Sequence, residues 1–184
     1  MDPKAHGALP DLAPALDALP LFPLPQTVLF PDALLPLHIF EPRYRALVRD
    51  ALATHRALAV VLITDASAVD AHGHPQIAAV ATVGTILDHA DLPGGRFNLL
   101  LRGRARVRLE ELPFVTPYRR ARATPLSSIG SEVRSNDLAA LVSTATAFSA
   151  IVRERDKSFD FRLPQSAEPG TIADLCAHQL VLDA

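Results

Sequence analysis

The 184-residue chain carries a formal charge of −2 and is 49% apolar, which suits a packed core and gives no general attraction to nucleic acid or anionic membranes. Its one cysteine, Cys176, excludes an internal disulfide and a cysteine metal cluster. The longest apolar runs, such as 57–63, fall far short of the ~20 residues that span a bilayer, and the first twenty residues lack the pattern of a signal peptide; a soluble cytoplasmic protein is expected.

Residues 1–18, rich in Ala, Pro and Asp, read as a flexible lead-in. Then LFPLPQTVLFPDALLPLHIFEPRYR, residues 21–45, sets five prolines into one of the most apolar parts of the chain. Prolines at the boundaries of strand-length pieces can start strands, occupy edges or shape turns. The stretch therefore predicts short strands bending around a small barrel, and excludes a long helix or a central strand. Pro42 differs, since it fits the first position of a helix, where its missing N–H costs nothing. Tyr44, Leu47, Val48, Ala51 and Leu52 follow as one apolar stripe, with Arg43, Arg45, Arg49 and Asp50 toward solvent.

Beyond this helix the pattern becomes β. ALAVVLIT, 57–64, predicts a buried strand, and DASAVDAHGHP, 65–75, a loop. IAAVATVGTILDHADL, 77–92, predicts a long strand with Gly84 as a bulge or bend, and PGG at 93–95 a turn. RFNLLLRGRARVRLEEL then returns antiparallel, and YRRARATPL, 118–126, supplies the last strand. The expected core includes Phe22, Leu29, Phe30, Leu37, Ile39, Leu47, Val60, Leu62, Leu99 and Leu101. After Ser127 the period changes to 3.6: Leu138, Leu141, Val142, Ala145, Phe148 and Val152 mark a helix with Ser135 as candidate N-cap. A second helix is expected near Thr171, with Asp174 completing a capping box. The organisation expected is a β-rich barrel over 19–127 and a helical segment over 128–184.

No catalytic constellation assembles. A phosphate-binding loop is absent, and a Ser–Lys dyad has only Lys4 and Lys157 to draw on. His72 and His74 sit in a loop beside Asp70 without a second ligand cluster. His38 reads as a core or edge histidine in a strand. Cys176 and His178 point apart on a helix, so Cys176 reads as a small buried apolar residue. No enzyme activity, cofactor or metal is expected. The sharpest charge pattern is RGRARVR: Arg102, Arg104, Arg106 and Arg108 share parity and would project from one strand face. That face is a candidate nucleic-acid surface, but a solvated sheet face balanced by Glu110 and Glu111 is the stronger reading. A polypeptide has a better candidate at Leu34 and Leu35, which would face opposite ways in an extended chain, beside Glu41 and Arg43 at the helix start.

LPLFPLPQTVLFPDALLPLHIFEPRYRALV resembles the opening of the Lon protease N-terminal domain, a substrate-binding domain. RFNLLLRGRARVRLEEL is similar to that family's G-R-[YF]-N-L-L-L hairpin, and PGTIADLCAHQL, 169–180, to its P-x-x-[LI]-A-D helix. VATVGTI, 80–86, matches the intervening strand in part, with Ala81 and Thr85 in place of the usual Gly and basic residue. The resemblance implies an α+β fold: a PUA-like pseudo-barrel of about six mostly antiparallel strands with one helix, followed by a helical segment. It also implies a non-enzymatic module for unfolded or tagged polypeptides, working as an adaptor with a separate protease. Full Lon proteases continue into ATPase and protease domains, which this sequence lacks, so a stand-alone member is expected, its helical tail truncated.

Overall fold

The computed structural model describes residues 11–115, 117–127, 133–164 and 167–179. Contacts group the chain into one compact unit up to residue 127 and a second beyond it. The first unit runs α1 (Ala13–Leu16), β1 (Leu19–Leu24), β2 (Leu34–Ile39), α2 (Pro42–Ala53), β3 (Ala57–Val69), β4 (Pro75–Ile77), β5 (Val80–Leu92), β6 (Arg96–Glu111) and β7 (Arg120–Pro125). The fold is α+β, as expected, with seven strands.

The added strand comes from the segment expected to be a loop. β3 continues to Val69, and β4 returns beside it, pairing Val69 with Pro75 and Ile63 with Ile77. Residues 64–69 are exposed or nearly so on both faces. They therefore carry no apolar alternation by which the strand could be read.

Strands β1, β7, β6, β5 and β3 lie side by side in that order, and a parallel β1–β3 pairing closes them into a ring. Closure is uneven. The β1–β7 contact involves only Leu19 and Pro20, whereas β5 and β6 pair from Val80–Arg108 to Leu92–Arg96. β6 has β5 along one side; on the other, β2 covers Phe97–Arg102 and β7 covers Val107–Glu111.

Three prolines lie inside strands rather than at their boundaries: Pro20 and Pro23 in β1 and Pro36 in β2. Each is tolerated because it has a side without a strand partner. β7 pairs with Leu19 and Pro20 only, β3 with Leu21–Leu24 only, and β2 has β6 alone.

Two cores result. On one, the α2 stripe Tyr44, Leu47 and Val48 packs on Phe22, Leu58, Leu99 and Leu101. All five ring strands contribute to the other, which is rich in small residues such as Ala59, Ala81, Ala105 and Ala123. Of the expected core, Phe22, Leu29, Ile39, Leu47, Val60, Leu99 and Leu101 are buried. Phe30, Leu37 and Leu62 are half-buried.

The Gly84 bend coincides with a bulge on the neighbouring strand. Gly84 pairs with Gly103, but Val83 pairs with Ala105, leaving Arg104 as the extra residue. At the same point the turn after Phe30 is stitched to β6. Asp32, in the left-handed region at φ 63°, donates its N–H to the Gly103 carbonyl at 3.0 Å, and Gly103 donates to the Ala33 carbonyl at 2.9 Å. A side chain at 103 would run into the Phe30 carbonyl, so this close approach requires glycine.

In the second unit, α3 (Ser135–Arg155) and α4 (Pro169–Gln179) share a small core of Ala145, Ile172 and Cys176. Ser135 is the first residue of α3 rather than its cap, and Arg134 occupies the cap position without a side-chain hydrogen bond. Thr171 lies within α4, because Pro169 already starts that helix. Phe148, expected on the buried stripe, is 44% exposed.

Candidate functional site

Strand β2 places the sequence-predicted pair as alternation requires. Leu34 is 49% exposed, while Leu35 packs against the α2-side core. Leu34, Pro36 and His38 stand opposite Arg102, Leu100 and Asn98 of β6 on the outer face. The His38 ring meets Asn98 Oδ1 at 2.7 Å and stacks on Phe40, their centroids 6.2 Å apart. Phe40 is 60% exposed, so an apolar patch runs from Leu34 past Pro36 and Leu100 to Phe40. β2 pairs with β6 only, so its other edge has no strand beside it among the described residues. Phe40 went unnoticed in the sequence because it ends LLPLHIF, which reads as one core strand. The signal that could have found it is alternation itself, since Phe40 continues the outward parity of Leu34, Pro36 and His38.

Glu41 and Arg43 sit at the start of α2 and engage each other, with Arg43 Nε donating to Glu41 Oε2 at 2.9 Å. The Arg43 guanidinium also lies 4.6 Å from the Tyr44 ring centroid. These two residues are thus brought together with one another, beyond the end of β2.

A second apolar concavity, of about 160 Å³, is lined by Val28, Phe30, Leu62, Val80, Thr82 and Arg106. Val28 and Val80 are each 40% exposed. Thr82 closes its floor by donating its hydroxyl to the Leu29 carbonyl. Its apolar residues are legible in the sequence only as strand core. The crevice between Arg43, Tyr44, His74 and Arg119 has about 10 Å³, room for roughly one water.

The arginine run does not form one face. The β6 bulge reverses the alternation, so Arg102 shares a face with Thr85, while Arg106 and Arg108 share the opposite face with Thr82 and Val80. Carboxylates also meet two of these cations, and Arg119 outside the run. Arg102 pairs with Asp32 at 2.8 Å, Arg104 with Asp11 at 3.1 Å and Arg119 with Glu111 at 2.7 Å.

Elsewhere, Asp70 Oδ1 accepts the His74 and His72 amides at 2.9 and 2.8 Å, and these bonds hold its carboxyl below the usual carboxylate range. Both histidine rings rest on Phe114. Among the described residues no three metal-ligating side chains gather. Cys176 is buried, which pushes its thiol up and away from the reactive thiolate. Burial and a 2.6 Å hydrogen bond to Asp50 push the Tyr118 phenol up to about 12. No described helix is long and apolar enough to cross a membrane.

A family model described as the ATP-dependent protease La (LON) substrate-binding domain matches residues 18–184. Lon protease 2 of Sorangium cellulosum is 29% identical over 167 residues, covering 90% of this chain and 21% of that protein. Lon protease of Chloroherpeton thalassium is 32% identical over 108 residues, 59% of this chain and 13% of that one. The chain thus spans about a fifth, or less, of the length of these relatives. A Lon N-terminal domain protein from Xanthomonas campestris superposes with a TM-score of 0.54 at 31% identity, over 73% of each chain. The N-terminal domain of Mycobacterium avium complex Lon protease superposes at 0.60, over 85% of this chain and 80% of that one, with 16% identity.

Proposed function

From the premise that this chain belongs to the LON substrate-binding domain family, we propose that it is a non-enzymatic module that captures extended, unfolded polypeptide on the outer face and open edge of β2. The observation that carries this reading is the patch from Leu34 to Phe40, 49% and 60% exposed at its ends, on a strand with one partner. An exposed strand edge offers main-chain hydrogen bonds independent of client sequence, and the apolar side chains supply the burial that holds it. Pro36 removes one donor from β2, which disfavours permanent pairing of that edge with another copy and leaves it for transient clients. Leu35 sets the strand by packing inward, and the Glu41–Arg43 pair adds polar contacts where the strand gives way to α2.

The groove beside Val28 and Val80 is a second place for an apolar client side chain. In cells the module would act as an adaptor that hands clients to a separate protease.

The test is capture of reduced, carboxymethylated α-lactalbumin by wild type and by a Leu34→Ser, Phe40→Ser double variant whose fold is checked by circular dichroism. Capture should weaken in the variant and change little between low and moderate salt. Unchanged capture by the folded variant would move the binding surface elsewhere. Single-stranded RNA serves as the contrast, because binding through arginines to phosphates would weaken steeply with salt. Salt-sensitive RNA binding lost on changing Arg106 and Arg108 to Gln would favour the arginine surface instead.

A further inference from the structure

We infer that Arg45 and Arg49 form an oxyanion-binding site over the β5–β6 turn, a site independent of the polypeptide surface on β2. The two residues are one helical turn apart on α2, so their side chains lie side by side. Both reach the Pro93–Gly94–Gly95 turn. Measured from where a Cβ on Gly95 would stand, Arg45 Nη2 is 2.8 Å away and Arg49 Nη2 3.2 Å away. Two guanidinium tips thus converge on one bare Cα, at a glycine whose φ is +71°.

Convergence of two like charges opposes itself unless an anion lies between them. Among the described residues no carboxylate stands within salt-bridge distance of either guanidinium, although Arg43 on the same helix has Glu41. Arg45 Nε is buried and has no hydrogen-bond partner. A buried, unpartnered N–H of a permanent cation is costly, and the Nη groups of the same fork, which reach the turn, are the donors that meet a bound oxyanion. The guanidinium fork matches a planar carboxylate or a phosphate face, and the exposed Arg49 supplies the second cation. Gly95 keeps it open, because any side chain there pushes both tips apart.

The shared ligand chemistry is a phosphate or a carboxylate group. The test is NMR detection of the arginine Nε–H signals of the full chain during titration with inorganic phosphate, with acetate and with chloride at matched ionic strength. Saturable shifts of the Arg45 and Arg49 signals are expected with phosphate, acetate or both, and which of them saturates identifies the source. Arg49→Gln, at an exposed position, should weaken the Arg45 response about tenfold or more and leave the fold intact. Linear shifts indistinguishable from chloride, or an Arg45 response unchanged in Arg49→Gln, would overturn the site.

Discussion

The two compact units solve the same burial problem with very different means. The β-rich unit buries Leu21, Leu29, Leu47, Leu58 and Leu101 almost completely, and nearly every ring strand is covered on both faces. The helical unit buries Ala145, Ile172 and Cys176 and leaves Phe148 and Ile151 44% and 58% exposed. Large side chains locked between two elements give cooperativity, whereas two helices meeting through small residues give little. Stability in this protein is therefore concentrated in the first unit.

The largest effect that could break this contrast is a core truncation. Leu101→Ala should cost about 2–5 kcal/mol, read from the shift in the urea midpoint. A cost below about 1 kcal/mol would mean that the β-rich unit is no better packed than the helical one. The chain supplies a probe for each half: both tyrosines, Tyr44 and Tyr118, lie in the first unit, there is no tryptophan, and the one thiol, Cys176, lies in the second. Urea should expose Cys176 to a thiol reagent at a lower concentration than the one that changes tyrosine fluorescence. Coincident midpoints would instead show one cooperative molecule.

A smaller effect concerns alkaline pH. Folding raises the Tyr118 pKa from about 10 to about 12, so above pH 10 the unfolded chain gives up a proton that the folded one keeps. The stability this residue contributes is complete below pH 10 and is lost as pH rises through 12. Tyr44, raised by burial, acts in the same direction. Tyr118→Phe should flatten the decline in urea midpoint between pH 10 and 12, and an unchanged decline would remove Tyr118 as its source. The smallest effect belongs to the helical unit: Phe148→Ser should change stability by no more than about 0.5 kcal/mol. A larger loss by thermal melting would show that this side of α3 is covered.

What could be read in advance follows the same division. α2 was legible because Pro42 and the stripe from Tyr44 to Ala51 fix a start and a face together. The β5–β6 hairpin was legible from its glycine turn. The outer half of β3 was not, since a two-stranded arm exposed on both faces needs no apolar pattern. Neither was the division of the arginine run, because a bulge changes register without leaving a mark in the parity of a sequence. Leu34 and Leu35 were set on opposite faces by alternation, and the same parity carried on to Phe40 would have turned its ring outward. The helix starts at Ser135 and Pro169 were misjudged by a residue or two, since a cap and a first-turn residue draw on similar side chains.

The uneven closure of the ring also sets an order of events. Both neighbours of β1 follow it in the chain, β3 after α2 and β7 after every other strand of the unit. The β5–β6 hairpin can form from neighbouring residues, and β3 and then β1 can join it through the Leu21–Leu24 pairing, while only the short Leu19–Pro20 contact still waits for β7. Ring closure should therefore be the slow step of folding, reached only after the chain through Ala121 has emerged. During that interval Leu19 and Pro20 lack their β7 partner, so a nascent chain of this protein itself presents the kind of unpaired strand that the finished fold is proposed to hold.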